Sequence, residues 1–464
     1  MAGKKKKLLD RFPHPLALLF YIVVFAAILT YIVPAGSYER ETIGGETQTI
    51  PGTFEYTEQN PAGILDLFSA IPEGFQQASN IVFIVFAAAM MFGILEKTGV
   101  MENTIGTLVK RLGVKRRFMI VVIMTFVYGL LGIFVGFENN IALIPIAVLL
   151  SSAIGGDKML GAGIAIGGVV IGFGLSPFNP YTIGVGHNIA EMPLFSGWIF
   201  RSILVFIVLS VLAAYNIWYF KKILRDRQKS LSDIDTSEMQ LTKPLEEYKM
   251  KRKDIAVLLV FVAGLAVMLT GVFAKGWFIN EISAIFLMVA IIAGIISGMN
   301  GNQIAETCTK ALAPSAFAAV IIGVAQSIQV VLTNANIGDT IAFYFTSGLD
   351  AFPTSLGVIF MAVSQSVISI FIPSGSGQAL ATLPIMIPVG NMIGLTRETS
   401  ILAFQVGDGL INTIAPTSGG LMAMLGLCRV PYGKWLRYII PFILIAILIG
   451  CIALVTAVLI GWGA

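Results

Sequence analysis

Apolar stretches of about twenty residues recur along the chain, and an α-helix needs about that many to cross the hydrocarbon core of a bilayer. Inside lipid only helices and closed barrels satisfy every backbone polar group, so the choice of folds is already narrow. Composition agrees. Of 464 residues 56% are hydrophobic and 12% charged, too few charges to cover a soluble globule of this size, and a soluble enzyme is excluded. The 30 basic and 26 acidic residues leave a small positive balance. Its bases gather in short loops between apolar runs, which signals topology and not a nucleic-acid surface. Cys308, Cys428 and Cys451 are an odd number without metal spacing or a disulfide framework, and they read as packing residues.

Four lysines, Lys4 to Lys7, precede the first apolar run. That run is long enough to span, so it reads as an uncleaved anchor with a cytoplasmic N-terminus. Between 37 and 78 there are seven acids and one base, Arg40, as an external loop would have. Continued along the chain, the charge rule predicts a basic cytoplasmic N-terminus at 1–13, a first transmembrane helix at 14–36 and an external loop at 37–61. A first repeat follows at 62–220 with a hairpin tip near 136–140, then a cytoplasmic linker at 221–254 and connecting and scaffold helices at 255–298. The remainder of a second repeat fills 299–464, with a tip near 373–378 and an external C-terminus. Within it, 303–313 reads as an amphipathic internal segment separate from an outward span at 315–331. The fold class is an all-α polytopic membrane protein of two inverted repeats, with about nine transmembrane helices, two re-entrant hairpins and two broken helices.

The hairpins and breaks follow from polar or proline-rich interruptions of apolar runs. Gly136-Phe137-Glu138-Asn139-Asn140 and Pro373-Ser374-Gly375-Ser376-Gly377-Gln378 are poor loops in lipid and read as tips buried in protein. Ser176-Pro177-Phe178-Asn179-Pro180 and Pro416-Thr417-Ser418-Gly419-Gly420 break the helices that follow. One ungapped offset of 239 residues places Pro145-Ile146 on Pro384-Ile385, Gly136 on Gly375, Asn139 on Gln378, Ile154-Gly155 on Ile393-Gly394 and Pro177 on Pro416. The charge rule puts the first hairpin inside and the second outside. Inverted repeats with discontinuous helices are the architecture of secondary transporters, with substrate at the midplane.

Each tip and break frees peptide groups: amide ends suited to a carboxylate, carbonyls suited to a small cation or ammonium. The candidate substrate and ion ligands are Glu138, Asn139 and Asn140 at the first tip and Asn179, Pro180 and Thr182 at the first break. At the second tip they are Ser374, Gly375, Ser376, Gly377 and Gln378, and at the second break Asp408, Asn412, Thr417, Ser418 and Gly419. An ionised group at the bilayer centre costs about 2.5 to 3.5 kcal/mol, which marks Glu138 and Asp408 as functional, and no Lys or Arg is found at comparable depth. They suit a proton, a sodium ion held by Asn139, Ser376 and Asp408, or a cationic substrate. No cofactor beyond such a coupling ion is expected, and the partners are a small-molecule substrate and membrane lipid, with no nucleic acid. Gly161-Ala162-Gly163 and Gly167-Gly168 read as helix-packing glycines and His187 as an interfacial residue. A passive channel and an intramembrane enzyme are the other classes; no reacting pair favours the latter.

The run Pro373 to Ala379, the stretch Gly407-Asp408-Gly409-Leu410-Ile411-Asn412 leading to Pro416-Thr417-Ser418-Gly419, and Pro431-Tyr432-Gly433-Lys434-Trp435 resemble the YfcC-type family of bacterial carriers. Asn179-Pro180 and the opening Pro34-Ala35-Gly36-Ser37-Tyr38-Glu39-Arg40 do so too. Most of the chain is covered, more specifically in the second repeat. In the first, Glu138-Asn139-Asn140 stands where a pair of acids is expected. The family is similar to the anaerobic four-carbon dicarboxylate carriers and the aminobenzoyl-glutamate transporters, within the broader ion-transporter superfamily. The resemblance implies a homodimer in the bacterial cytoplasmic membrane with a scaffold and a mobile transport domain, an elevator driven by an ion gradient or by exchange. It leans toward basic amino acids, including arginine/ornithine exchange, with dicarboxylates or other organic anions second.

Overall fold

The computed structural model describes residues 15–43, 46–50, 52–112, 116–232, 247–275, 277, 279–347 and 353–463. The basic N-terminus and the centre of the expected linker lie outside the described residues. The first half runs α1 (Pro15–Ile32), strands β1 (Gly36–Ser37), β2 (Arg40–Ile43), β3 (Glu46–Thr49) and β4 (Glu55–Tyr56), then α2 (Ile64–Gln77), α3 (Ser79–Thr98) and α4 (Val100–Leu112). Next come α5 (Arg117–Val135), a 3-10 turn (Glu138–Leu143), α6 (Ile144–Ala153), α7 (Lys158–Gly174), a π-helical turn (Pro180–Gly184), α8 (Val185–Ile189) and α9 (Trp198–Arg225). The second half is helical throughout: α10 (Arg252–Lys275), α11 (Ile279–Ile296), α12 (Gly301–Asn334), α13 (Gly338–Ser347), α14 (Thr354–Phe371), α15 (Gly375–Met392), α16 (Arg397–Ile411), α17 (Gly419–Leu427) and α18 (Tyr432–Leu459). Among the described residues α3, α5, α9, α11, α14 and α18 are long and apolar enough to cross a bilayer, and α12 with α13, bent by 80°, is a seventh candidate. The chain is a multi-pass membrane protein of the all-α class.

At the 239-residue offset α1 corresponds to α10, α2 with α3 to α12, α4 to α13, α5 to α14, α6 to α15, α7 to α16, α8 to α17 and α9 to α18. The turns before α7 and α16 match closely. Gly155 and Gly394 have φ of +90° and +83°, a left-handed backbone that glycine adopts without a Cβ clash. Two residues later Asp157 and Thr396 cap the helices, their side chains accepting from Leu160 N at 2.8 Å and Thr399 N at 3.1 Å.

The copies are inverted, and α9 shows it. Its 28 residues are about 42 Å long, so its ends mark two faces, called inner at Arg225 and outer at Trp198 after the expected orientation. At the inner end Phe118 packs on Phe220 with ring centroids 5.5 Å apart and Tyr219 Oη donates to Asp157 Oδ2 at 2.7 Å, so α5 and α7 start there. At the outer end Arg201 pairs with Glu398 and lies over Trp462, so α16 starts and α18 ends there. Thr354 Oγ1 donates to Ile393 O at 2.7 Å, which brings α14 in from the same outer face. By length alone α5 and α14 would count as crossings; opposite points of origin and tips that meet make them hairpin arms. The extra helix α11, without a counterpart in the first half, supplies the odd crossing that reverses everything after it.

Three local expectations are corrected. The external segment is not a plain loop: β1 pairs with β4 and β2 with β3, and Arg40 pins the ribbons to α13 through Asp339 at 2.9 Å. The segments 303–313 and 315–331 are one helix, α12, packed against both α2 and α3, with the polar side chains of its first half mostly left exposed. His187 is fully buried, not interfacial.

Helices α1, α2, α3, α10, α11 and α12 pack as one body, and the hairpins with α7, α9, α16 and α18 as another; α12 against α17 joins them. In the second body α7 is buried over its whole length, with glycines where side chains would collide. Where α7 crosses α16, a methyl group at Gly174 would lie 2.7 Å from Gly409 Cα, so both broken helices meet backbone to backbone.

Candidate functional site

The two tips face a cavity of about 370 Å³ at the junction of the bodies. Gly136, Phe137, Glu138 and Asn139 line it from the first tip, Pro373, Ser374, Gly375 and Ser376 from the second, and Asn412, Thr417, Ser418 and Gly419 from the second break. The sequence reading missed the opposite wall, which brings Gln77 and Asn80 together with Gln326 and Gln329 of α12. Gln326 Nε2 donates to Gln329 Oε1 at 2.8 Å and to Gln77 Oε1 at 3.2 Å. The available signal was two glutamines three residues apart on one face of an apolar helix.

Two helices begin at this cavity. Ser374 caps α15, accepting from Gly377 N at 3.3 Å, and Ser418 is the N-cap of α17. Their first-turn amides and positive dipole ends therefore face the space, an arrangement suited to an anionic group. Asp408 lies just behind the second tip, where Gly375 keeps the contact open. A methyl group there would sit 3.4 Å from Asp408 Oδ2 and 2.8 Å from Thr182 Cγ2. Asp408 Oδ1 accepts from Ser369 Oγ at 2.8 Å and, more weakly, from Asn412 Nδ2 at 3.4 Å. Glu138 is close enough to Asp408 for the carboxylates to interact electrostatically. The buried hydroxyls of Thr182 and Thr417 have no hydrogen-bond partner among the described residues.

Other candidates are occupied in holding the tips. Asn140 Nδ2 donates to the Leu131 carbonyl at 3.1 Å and to that of Gly136, tying the first tip to its own arm. Gln378 Nε2 donates to Gln365 Oε1 at 2.6 Å across the second hairpin, and Gly377 lines a separate outer cavity shared with Arg40 and Asp339. For the suggested sodium ligands, Asn139 and Ser376 line the same cavity and Asp408 stands behind Gly375, a hard oxygen donor set of the kind a small cation uses.

The first break differs. In an unbroken helix the Phe173 and Ser176 carbonyls would bond the amides of residues 177 and 180, but both are prolines. Asn179 Nδ2 reaches Phe173 O at 3.4 Å, and Gln405 Nε2 donates to Ser176 O at 2.7 Å. Phe173 O also accepts from Ser176 N at 3.3 Å, so both freed carbonyls are taken within the protein, which corrects the expectation that both breaks offer them to a ligand. At the second break Pro416 denies a partner to the Asn412 carbonyl, no hydrogen bond reaches it among the described residues, and Asn412 lines the cavity. Pro180 opens the π-helical turn that carries Thr182 back toward the second tip.

Gln405 is itself held. Arg201, wholly buried, donates through Nε to Gln405 Oε1 at 3.1 Å, through Nη1 to Ser196 O at 2.8 Å, and pairs with Glu398 at 2.8 Å. His187 Nδ1 accepts from Phe195 N at 3.0 Å, which leaves its Nε2 proton for Glu398 Oε2 at 3.4 Å. A basic residue is therefore buried after all, though toward the outer face and with its own acid. Removing one member of such a pair strands the other at a cost of about 3 to 5 kcal/mol. Among the described residues no cluster of His, Cys, Asp and Glu could hold a metal.

An inverted pair of hairpins around a shared cavity is transporter architecture, and similar proteins agree. An uncharacterized protein of Haemophilus influenzae is 27% identical over 98% of this chain and 99% of its own. The putative basic amino acid antiporter YfcC of Escherichia coli is 26% identical over 92% of each. The p-aminobenzoyl-glutamate transport protein of Escherichia coli is 21% identical over 99% of this chain and 94% of its own. Residues 12–459 match the profile of the DcuC family, C4-dicarboxylate anaerobic carriers, and the chain belongs to that family.

Proposed function

We propose that the chain is a secondary active carrier of a small carboxylate-bearing metabolite, and that the cavity between the tips is its site. One observation carries the reading: Glu138 on the wall and Asp408 just behind Gly375 stand with the amide ends of α15 and α17 at a single cavity. The amide ends suit the carboxylate of a substrate and the acids suit a positive group on it or a coupling ion, so an amino acid such as arginine or ornithine, moved by exchange or with a sodium ion or proton, comes first. A dicarboxylate or other organic anion is the second reading, favoured by the helix N-termini, with the acids then serving the coupling cation. Asn139, Ser376, Asn412, Thr417, Ser418 and Gly419 complete the ligand shell, with Thr182 and Gly375 at its back.

The division into two packed bodies with the cavity at their junction supports an elevator, the hairpin body moving against the α1–α3 and α10–α12 body. A homodimer in the bacterial cytoplasmic membrane, N-terminus inside and C-terminus outside, belongs to the same proposal. Counterflow in proteoliposomes tests it. Preloaded arginine or ornithine should drive saturable accumulation of labelled arginine; label driven only by dicarboxylates selects the second reading. Flux that neither saturates nor shows counterflow contradicts the carrier.

A further inference from the structure

At the inner face the ends of α3, α10, α11 and α12 surround another cavity, about 1200 Å³ in volume and remote from the tips. Five bases line it: Lys97, Lys251, Lys253, Lys310 and Arg429. Its three acids are committed within the protein. Asp254 Oδ2 accepts from Lys251 N at 2.9 Å and from Asn103 Nδ2 at 3.0 Å, which fixes the start of α10. Glu306 holds Lys310 at 2.6 Å, and Glu96 faces Arg429. Lys97, Lys251 and Lys253 remain, exposed and in no close ion pair among the described residues, with Lys97 within longer electrostatic reach of Glu306. Three ammonium groups around one space make a local site for an anion, more than a charge bias along loops would require.

The surroundings say which anion. Just past Lys253, Ile255, Leu259 and Val262 form one exposed face of α10, at 45%, 62% and 51% exposure. On α11, packed against it, Met288, Ile291 and Ile295 form another, exposed by 54%, 50% and 61% and ending just short of Ser297 at the cavity rim. Two apolar stripes thus run into the bilayer from a basic pocket at its edge. A soluble anion would use the lysines and leave the stripes idle, whereas a phospholipid uses both.

We propose that this cavity binds the phosphate of an anionic phospholipid, with the headgroup among Lys97, Lys251 and Lys253 and the acyl chains along α10 and α11. Basic pockets between helices at the cytoplasmic side are suited to such headgroups. Binding there would fasten the body of α1–α3 and α10–α12, not the hairpin body, to the leaflet.

The test is native mass spectrometry of the full-length protein in detergent with phosphatidylglycerol, diphosphatidylglycerol or phosphatidylcholine, for the wild type and K97Q/K251Q/K253Q. Wild type should retain the two anionic lipids over phosphatidylcholine. The triple variant should bind them more weakly by on the order of a hundredfold, about fivefold per lysine. K97R/K251R/K253R should keep binding, which separates lost charge from lost fold. Equal retention by wild type and glutamine variant would overturn the site. Inorganic phosphate that binds in the lysine pocket while no anionic lipid is retained would overturn the lipid as its occupant.

Discussion

Both broken helices lose backbone hydrogen bonds to proline, at Pro177 and Pro180 in the first repeat and Pro416 in the second. In the first, the Ser176 amide and Asn179 take one carbonyl and Gln405 the other, and Gln405 is braced by Arg201 and through it by Glu398. In the second, the Asn412 carbonyl beside the cavity and the Thr417 hydroxyl have no hydrogen-bond partner among the described residues, and Asp408 lies one turn before. One break is thus braced from within the protein, while its twin leaves a backbone carbonyl open beside the cavity. Sequence symmetry between repeats therefore does not carry over to chemistry, because each orphaned carbonyl needs only one well-placed amide elsewhere to be closed.

This contrast can be broken in several ways. Asp408→Asn keeps the shape and the Ser369 contact but removes the charge, so concentrative uptake should fall on the order of a hundredfold, about 2 to 3 kcal/mol of charge-assisted bonding, while exchange persists. Unchanged uptake in proteoliposomes would remove Asp408 from the site. Pro416→Ala restores an amide that can close the second break onto the Asn412 carbonyl. It should lower transport about tenfold, one hydrogen bond's worth, with the melting temperature kept or raised. Gln405→Ala strands the Ser176 carbonyl and the Arg201 Nε, so it should lose about 1 to 3 kcal/mol of stability, read as a lower melting temperature in detergent. If Gln405→Ala instead melts like wild type, the brace is not one. Pro180→Ala should be mildest, within a few-fold in uptake, because the restored amide competes for a carbonyl that Gln405 already satisfies.

The order of elements was legible because a bilayer leaves few readings: glycine, proline or a carboxylate inside an apolar run must be a tip, a break or a site. Asp408, Asn412, Thr417 and Ser418 stand out in the sequence for that reason, and the fold brings them to one side of the cavity between the tips. Gln405 and Arg201 were not, since they act on partners 229 and 204 residues away and leave no period in the chain. A trace did exist. Two prolines three residues apart guarantee two unpaired carbonyls, and asking where their donors come from leads to a buried amide on another helix. The α12 glutamines escaped notice because a polar residue on a spanning helix looks the same whether it faces a cavity or a neighbour.

Substrate protection of a single cysteine tests the shared cavity most directly. In a variant with Cys308, Cys428 and Cys451 replaced by serine, Ser376→Cys should react with a small thiol reagent, and a saturating transported substrate should slow that reaction strongly. A control cysteine at Leu194, exposed and away from the cavity, should be unaffected. Labelling at Ser376→Cys that proceeds at the same rate with and without substrate would contradict a binding site between the tips.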